Sequence, residues 1–180
     1  MIKNRELHYQ APSAIKAFQE ERLKETLEYV SQHSRFYKKM FAEHHIDITA
    51  INTLEDLQLI PPTTKQDLQA YNTEFLCVSP IDVVDYVTTS GTLGEPVTFA
   101  LSENDLQRLS YNEASSFTMA GCTNEDVMQL MTTIDRRFMA GLAYFLGARE
   151  LGCGIVRVGN GIPELQWDTI KRVKSTVCMV

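Results

Sequence analysis

Ile15, Phe18, Leu23, Leu27 and Val30 recur mostly three or four residues apart, with Glu and Lys between them. That spacing puts one apolar stripe along a helix, and it predicts an amphipathic helix from Pro12 to about Gln32. Pro12 falls in the first turn, where a missing N–H does little harm. Phe36, Met40 and Phe41 predict the buried side of a second helix over Arg35–His44. A short helical turn starting at Asn52 or Thr53 carries Leu54 and Leu57. Pro61-Pro62 then breaks the chain, and Thr63 with Gln66 makes a capping box for a third helix through Ala70.

Past residue 75 the period changes. A β-prone run ending at Val87-Thr88 and a second, Val97-Thr98-Phe99-Ala100-Leu101, flank a short polar stretch and predict a hairpin. Ser102-Glu103-Asn104-Asp105 reads as a helix start, Leu106, Leu109, Ala114 and Phe117 as its buried stripe, and Gly121 as its C-cap. The remaining chain alternates strand 127–131, helix 138–151, strand 154–158, helix 163–173 and strand 176–180. Such alternation indicates βαβ units and a parallel sheet. The predicted fold class is α/β: a helical cap over 1–75, then a hairpin and the first part of an α/β domain over 76–180.

Composition narrows the function. With 44% hydrophobic and 22% charged residues, the 180-residue chain has a globular balance. A formal charge of -6 disfavours nucleic acid, whose recognition leaves a basic footprint. No apolar run approaches the roughly 20 residues of a membrane span, and the first residues lack the apolar core of a signal peptide; the expectation is a cytoplasmic protein. Cys77, Cys122, Cys153 and Cys178 form no Cys-x-x-Cys pair and read as small buried hydrophobes. His44 and His45, adjacent on a helix, point about 100° apart and cannot readily share a metal. No metal ligand is assigned.

The densest chemistry lies in Thr88-Thr89-Ser90-Gly91-Thr92-Leu93-Gly94-Glu95-Pro96. Glycines admit close approach and positive φ, and Ser and Thr add short donors, so such a loop can turn many N–H and O–H groups toward one polyphosphate. It is not a Walker A loop, which needs Gly-Lys-Ser/Thr opening a helix. An ordinary hairpin turn has the same composition, and composition alone favours the turn.

The run resembles the phosphate loop of the adenylate-forming superfamily, written Thr/Ser-Ser-Gly-Thr-Thr-Gly-Lys-Pro. Three further elements resemble the phenylacetate–CoA ligase-like branch: Ser34-Arg35-Phe36-Tyr37, Ile60-Pro61-Pro62-Thr63-Thr64-Lys65-Gln66-Asp67-Leu68, and Gly161-Ile162-Pro163-Glu164-Leu165-Gln166. The resemblance implies an ATP-dependent acyl-CoA ligase that uses Mg²⁺ and coenzyme A and activates a carboxylic acid, phenylacetate or another aryl acid. It implies that Thr88, Thr89, Ser90, Gly91, Thr92 and Gly94 enclose the β- and γ-phosphates. It also implies that Phe138, Ala140 and Gly141 adjoin the acyl group, although ordinary helix packing accounts for those three as well. Two positions depart from the family loop: Leu93 replaces a Thr, and Glu95 replaces the Lys.

In that branch the acidic Mg²⁺ ligand, the ribose-binding aspartate and the catalytic lysine fall after the position of Val180. The expectation is therefore an N-terminal portion that carries no catalytic residue and is inactive by itself. Its apolar sheet edge would favour association, a homodimer being one form. Two other readings stay open: adenylation with a different acceptor, and a non-catalytic nucleotide-binding or assembly module.

Overall fold

The computed structural model describes residues 5–89 and 95–180. They divide into two compact units, one of residues 5–82 with 95–97 and one of residues 83–89 with 98–180.

The first unit is helical. Helix α1 (Pro12–His33) starts on the expected proline, and α2 (Arg35–Glu43) follows after a single residue. That residue, Ser34, is fully buried: its amide bonds the Val30 carbonyl, its hydroxyl accepts from the Tyr37 amide, and it donates to the Glu74 carbonyl. One residue thus ends α1 with its amide, and with its hydroxyl caps α2 and ties the corner to a distant segment. Leu27, Met40, Phe41 and Ile51 form the core. Phe36 is only half-buried, stacked on Phe75 with ring centroids 4.0 Å apart. The helix α3 (Lys65–Ala70) is capped one residue later than expected, by Thr64 with Asp67. Both frames fit the capping-box pattern, and the carboxylate wins because it accepts from both the Thr64 amide at 2.8 Å and the Thr64 hydroxyl at 2.6 Å.

The second unit opens with the hairpin β1 (Val83–Thr88) and β2 (Thr98–Ser102), antiparallel with Thr88 opposite Thr98. Ser102 and Asp105 make the capping box of α4 (Glu103–Met119), and Gly121 leaves the helix at φ +90°. Strands β3 (Val127–Leu130), β4 (Gly154–Arg157) and β5 (Val177–Met179) are all parallel, in the order β4–β3–β5. They are joined by α5 (Met139–Leu151) and α6 (Pro163–Val173). The first crossover moves to one side of β3 and the second returns past it, so right-handed connections put α5 and α6 on opposite faces.

Side-chain alternation confirms the two faces. Met128 packs with Phe117 and Ala148 on the α4–α5 side, whereas Gln129 turns toward α6. Helices α4 and α5 approach closely at Gly147, where a Cβ would lie 2.3 Å from the Glu113 Cβ. The expected burial of the cysteines holds in part. Cys77, Cys122 and Cys153 are half-buried, and burial raises each thiol pKa. Cys178 is exposed, because on β5 it alternates with the inward-facing Val177 and Met179. Among the described residues no helix is long and apolar enough to cross a membrane.

At the amino edge of the sheet, Asp126 joins β3 to β5. Its carboxylate accepts from the Thr123 amide at 2.7 Å and the Thr176 hydroxyl at 2.8 Å, and these bonds hold its pKa below the ordinary 3.8. A depressed folded pKa gives stability that is complete above the unfolded value and is lost as pH falls through the folded one. Asp126→Asn should therefore flatten the acid dependence. Between about pH 5 and pH 2 the urea midpoint of the wild type is expected to fall more steeply than that of the variant; parallel curves would contradict this role.

Candidate functional site

Strands of one parallel sheet bring their carboxyl ends to one edge, and ligands bind there at the point where strand order reverses. With β3 central, that edge collects the segment after β3 (131–138), the turn after β4 (158–162) and the end of β5.

The segment 131–138 is held at several points. The Asp135 amide donates to the Thr133 hydroxyl at 3.2 Å, and the Thr133 hydroxyl bonds the Asp135 carboxylate. The Phe138 amide bonds the Asp135 carbonyl, which closes a turn. Arg136 and Arg137 within it take φ values of +58° and +62°, a left-handed conformation that non-glycine residues adopt rarely. At its far end the first turn of α5 rests on the Thr133 carbonyl. A Cβ built on Gly141 would lie 1.8 Å from that oxygen, so only glycine fits.

This segment also receives the hairpin. The Thr88 amide, at the end of β1, donates to the Arg137 carbonyl at 3.1 Å. The start of the Ser/Thr/Gly loop is thereby fixed one residue from Phe138. Thr88 is half-buried and Thr89 exposed. Ser90, Gly91, Thr92 and Gly94 lie outside the described residues. Glu95, on the other flank of the loop, is exposed, and its carbonyl accepts from the Gln69 side chain of α3.

The three residues expected to adjoin an acyl group have different surroundings. Phe138 is the uncapped N-cap of α5 and is 43% exposed, so its ring is available. Ala140 is half-buried. Gly141 is buried, and the space its missing side chain leaves is filled by residues 133 and 134 rather than left open. Asp135, Arg136 and Arg137 are all exposed. Among the described residues no cluster of three or more His, Cys, Asp or Glu could hold a metal ion.

On the α6 face the same edge carries a groove of about 650 Å³, walled by Met131, Thr132, Gly161, Gln166, Cys178 and Val180 among others. Behind it runs a chain of amides. The Ser175 hydroxyl donates to Gln129 Oε1 at 2.8 Å. Gln129 Nε2 donates to Gln166 Oε1 at 2.8 Å and to the Gln166 carbonyl at 3.2 Å. Gln166 Nε2 donates to the carbonyls of Gly159 at 2.7 Å and Gly161 at 3.4 Å. The role of these glutamines is absent from the sequence reading, although Gln129 interrupts the apolar run Val127-Met128-Gln129-Leu130-Met131. A polar residue inside a buried strand is itself a signal, because it must find partners there.

No family model matches the chain. Over 168 residues it is 33% identical to a phenylacetate-coenzyme A ligase of Thermus thermophilus, a match covering 92% of this chain and 37% of that protein. It is 30% identical over 171 residues to the phenylacetate-coenzyme A ligase of Pseudomonas putida, covering 93% and 38%. The Escherichia coli protein of that name is 29% identical over 167 residues, covering 92% and 38%. The chain therefore spans less than two-fifths of the length of these relatives. In structure it is similar to an open conformation of 2-hydroxyisobutyryl-CoA ligase in complex with 2-HIB-AMP and CoA, with a TM-score of 0.85 and 18% identity over 99% of this chain and 44% of that one. A second structure of that ligase, in the thioesterification state, gives a TM-score of 0.81 at 20% identity, over 90% of this chain and 35% of that one. Over the matched residues the chain is similar to phenylacetate-coenzyme A ligases, and it has the α/β fold of the matched part of 2-hydroxyisobutyryl-CoA ligase.

Gly141→Ala forces its new methyl against the Thr133 carbonyl. The expected loss is about 1–3 kcal/mol of stability, the usual range for overpacking, read as a lower urea midpoint. An unchanged midpoint would show that the contact between α5 and residue 133 does not constrain the segment.

Proposed function

We propose that this chain, a relative of phenylacetate–CoA ligases, supplies the phosphate loop and acid-binding face of an ATP-dependent acid–thiol ligase. The acid, phenylacetate or another aryl acid, attacks the α-phosphorus of ATP. A carboxylate–phosphorus bond forms, the bond to the β-phosphate bridge breaks, and pyrophosphate leaves. The thiol of coenzyme A then takes the acyl group and AMP departs. We assign the work to the cytoplasm, where ATP and coenzyme A are at hand.

One observation carries this reading. The Thr88–Arg137 backbone bond sets the root of the hydroxyl-rich loop beside Phe138, so one short stretch offers phosphate donors and an exposed aromatic ring. Phosphoryl transfer asks little covalent chemistry of a protein and depends on positioning and charge stabilisation. In this assignment Thr88, Thr89, Ser90, Gly91, Thr92 and Gly94 hold the β- and γ-phosphates. Phe138 stacks on the aryl group and Ala140 leaves room beside it. Gly141 acts one layer behind them, by letting α5 settle on the Thr133 carbonyl. Mg²⁺ arrives with the nucleotide, and no residue described here is assigned to it. The division into a helical cap over 1–75 and an α/β portion over 76–180 belongs to the same proposal.

Glu95 bears on the electrostatics. A carboxylate within about 4–6 Å of a phosphate is repelled by somewhere between under one and a few kcal/mol, depending on screening. The loop must then bind through neutral donors, with Arg136 and Arg137 placing cationic charge near its root. The loss of the family lysine is also what favours the second reading, a nucleotide-binding module without turnover or with another acceptor.

A thermal-shift titration tests the proposal. At 100 times Kd, Mg-ATP should stabilise the 180-residue chain by about 2.7 kcal/mol, with a further rise on adding phenylacetate. Glu95→Lys should leave nucleotide affinity unchanged or raise it. Thioester formation from these 180 residues alone is expected to be nil. Absence of any shift with nucleotide would overturn the assignment, and a large loss of affinity in Glu95→Lys would give Glu95 a positive role.

A further inference from the structure

We infer that Gln129 and Gln166 are positioning residues, a buried amide relay that fixes the Gly159–Ile162 turn and through it the fit of the acid at the sheet edge. The inference rests on the adenylation reading above but concerns different residues and a different observable.

Gln129 is completely buried in the central strand, and Gln166 is 7% exposed. A buried amide without partners is strongly unfavourable, yet both glutamines are satisfied by one directional chain from Ser175 through Gln129 and Gln166 to Gly159 and Gly161. Reversing either amide would set oxygen against oxygen or N–H against N–H. The orientation of the last NH₂ group is therefore fixed by a chain that begins at Ser175, just before β5.

The turn at the end of this chain needs such support. Gly159, Gly161 and Ile162 all have positive φ, at +78°, +82° and +35°. A β-branched residue in that region is an outlier, and strain of this kind persists only where the surroundings over-determine it. Ile162 is the N-cap of α6 and contributes no side-chain cap. Two inputs hold the turn: the amides of Val158 and Gly159 bond the Leu130 carbonyl, and the Gln166 side chain grips the Gly159 and Gly161 carbonyls.

What the turn shapes is the groove. Gly161 and Gln166 line it together with Met131 and Thr132, the first residues of the segment that ends at Phe138. A volume of about 650 Å³ is within the usual range for a small-molecule site, and its largely apolar walls suit an aryl acid better than a triphosphate.

The test compares wild type, Gln166→Glu, Gln166→Met and the double variant Gln129→Met with Gln166→Met. For each, hydrogen exchange at residues 158–162, Tm, and calorimetric binding of phenylacetate and of Mg-ATP are measured on the 180-residue chain. Gln166→Glu can still accept from Gln129 but cannot donate to the turn. Exchange at 158–162 should rise about tenfold and phenylacetate affinity fall about tenfold, the equivalent of one hydrogen bond, with Mg-ATP affinity unchanged. The double variant removes both polar partners together and should recover most of the Tm lost by Gln166→Met, while keeping fast exchange and weak acid binding. Wild-type exchange or wild-type acid affinity in the folded double variant would overturn the relay. If the wild type binds Mg-ATP but not phenylacetate, the relay fails and the adenylation reading survives; if it binds neither, both fail.

Discussion

The bond from the Thr88 amide to the Arg137 carbonyl joins two parts of the second unit that the sequence separates by almost fifty residues. By itself such a bond contributes about 0.5–1.5 kcal/mol, too little to hold a loop against its own entropy. It holds because Arg137 is not free to move. The segment is pinned by the Thr133–Asp135 contacts on one side and by the Thr133 carbonyl under Gly141 on the other. The left-handed backbone at Arg136 and Arg137 is the conformational cost of turning that carbonyl toward β1.

The carboxyl edge of the sheet is therefore built from three supports of different chemistry: a backbone bond to the hairpin, a steric seat at Gly141, and a buried amide chain behind the 158–162 turn. Each fixes main chain and leaves side chains available. That division suits a reaction in which reactants supply the bonds and the protein supplies position. It also suits an acidic chain proposed to handle anionic substrates. Beyond the Debye length of about 8–10 Å the net charge of -6 is screened, and local donors decide whether a phosphate is held.

Much of the fold was legible because its signals are local. Pro12 and Pro163 start helices, Ser102 with Asp105 caps one, and the apolar runs at 127–130, 154–157 and 177–179 become parallel strands. Local signals also misled where two of them competed. Thr63 and Thr64 each stand three residues before a capping partner, and only the stronger acceptor, Asp67, separates them. Cys178 looked like core because its neighbours are apolar, but alternation puts it on the α6 face. Gly141 was expected beside an acyl group, and the space its missing side chain leaves is taken by a carbonyl eight residues earlier. Least legible was the pairing of Gln129 with Gln166. It depends on which face of the sheet the second crossover takes, and no periodicity within either element encodes that.

A crystal structure with a non-hydrolysable ATP analogue and phenylacetate tests the central claim most directly. The account predicts the terminal phosphates against the amides and hydroxyls that begin at Thr88 and Thr89, and the aryl ring within about 4.5 Å of Phe138, the limit of side-chain contact. Triphosphate seated elsewhere, with the amides past Thr88 consumed by hairpin bonds and Phe138 facing only solvent, would contradict it.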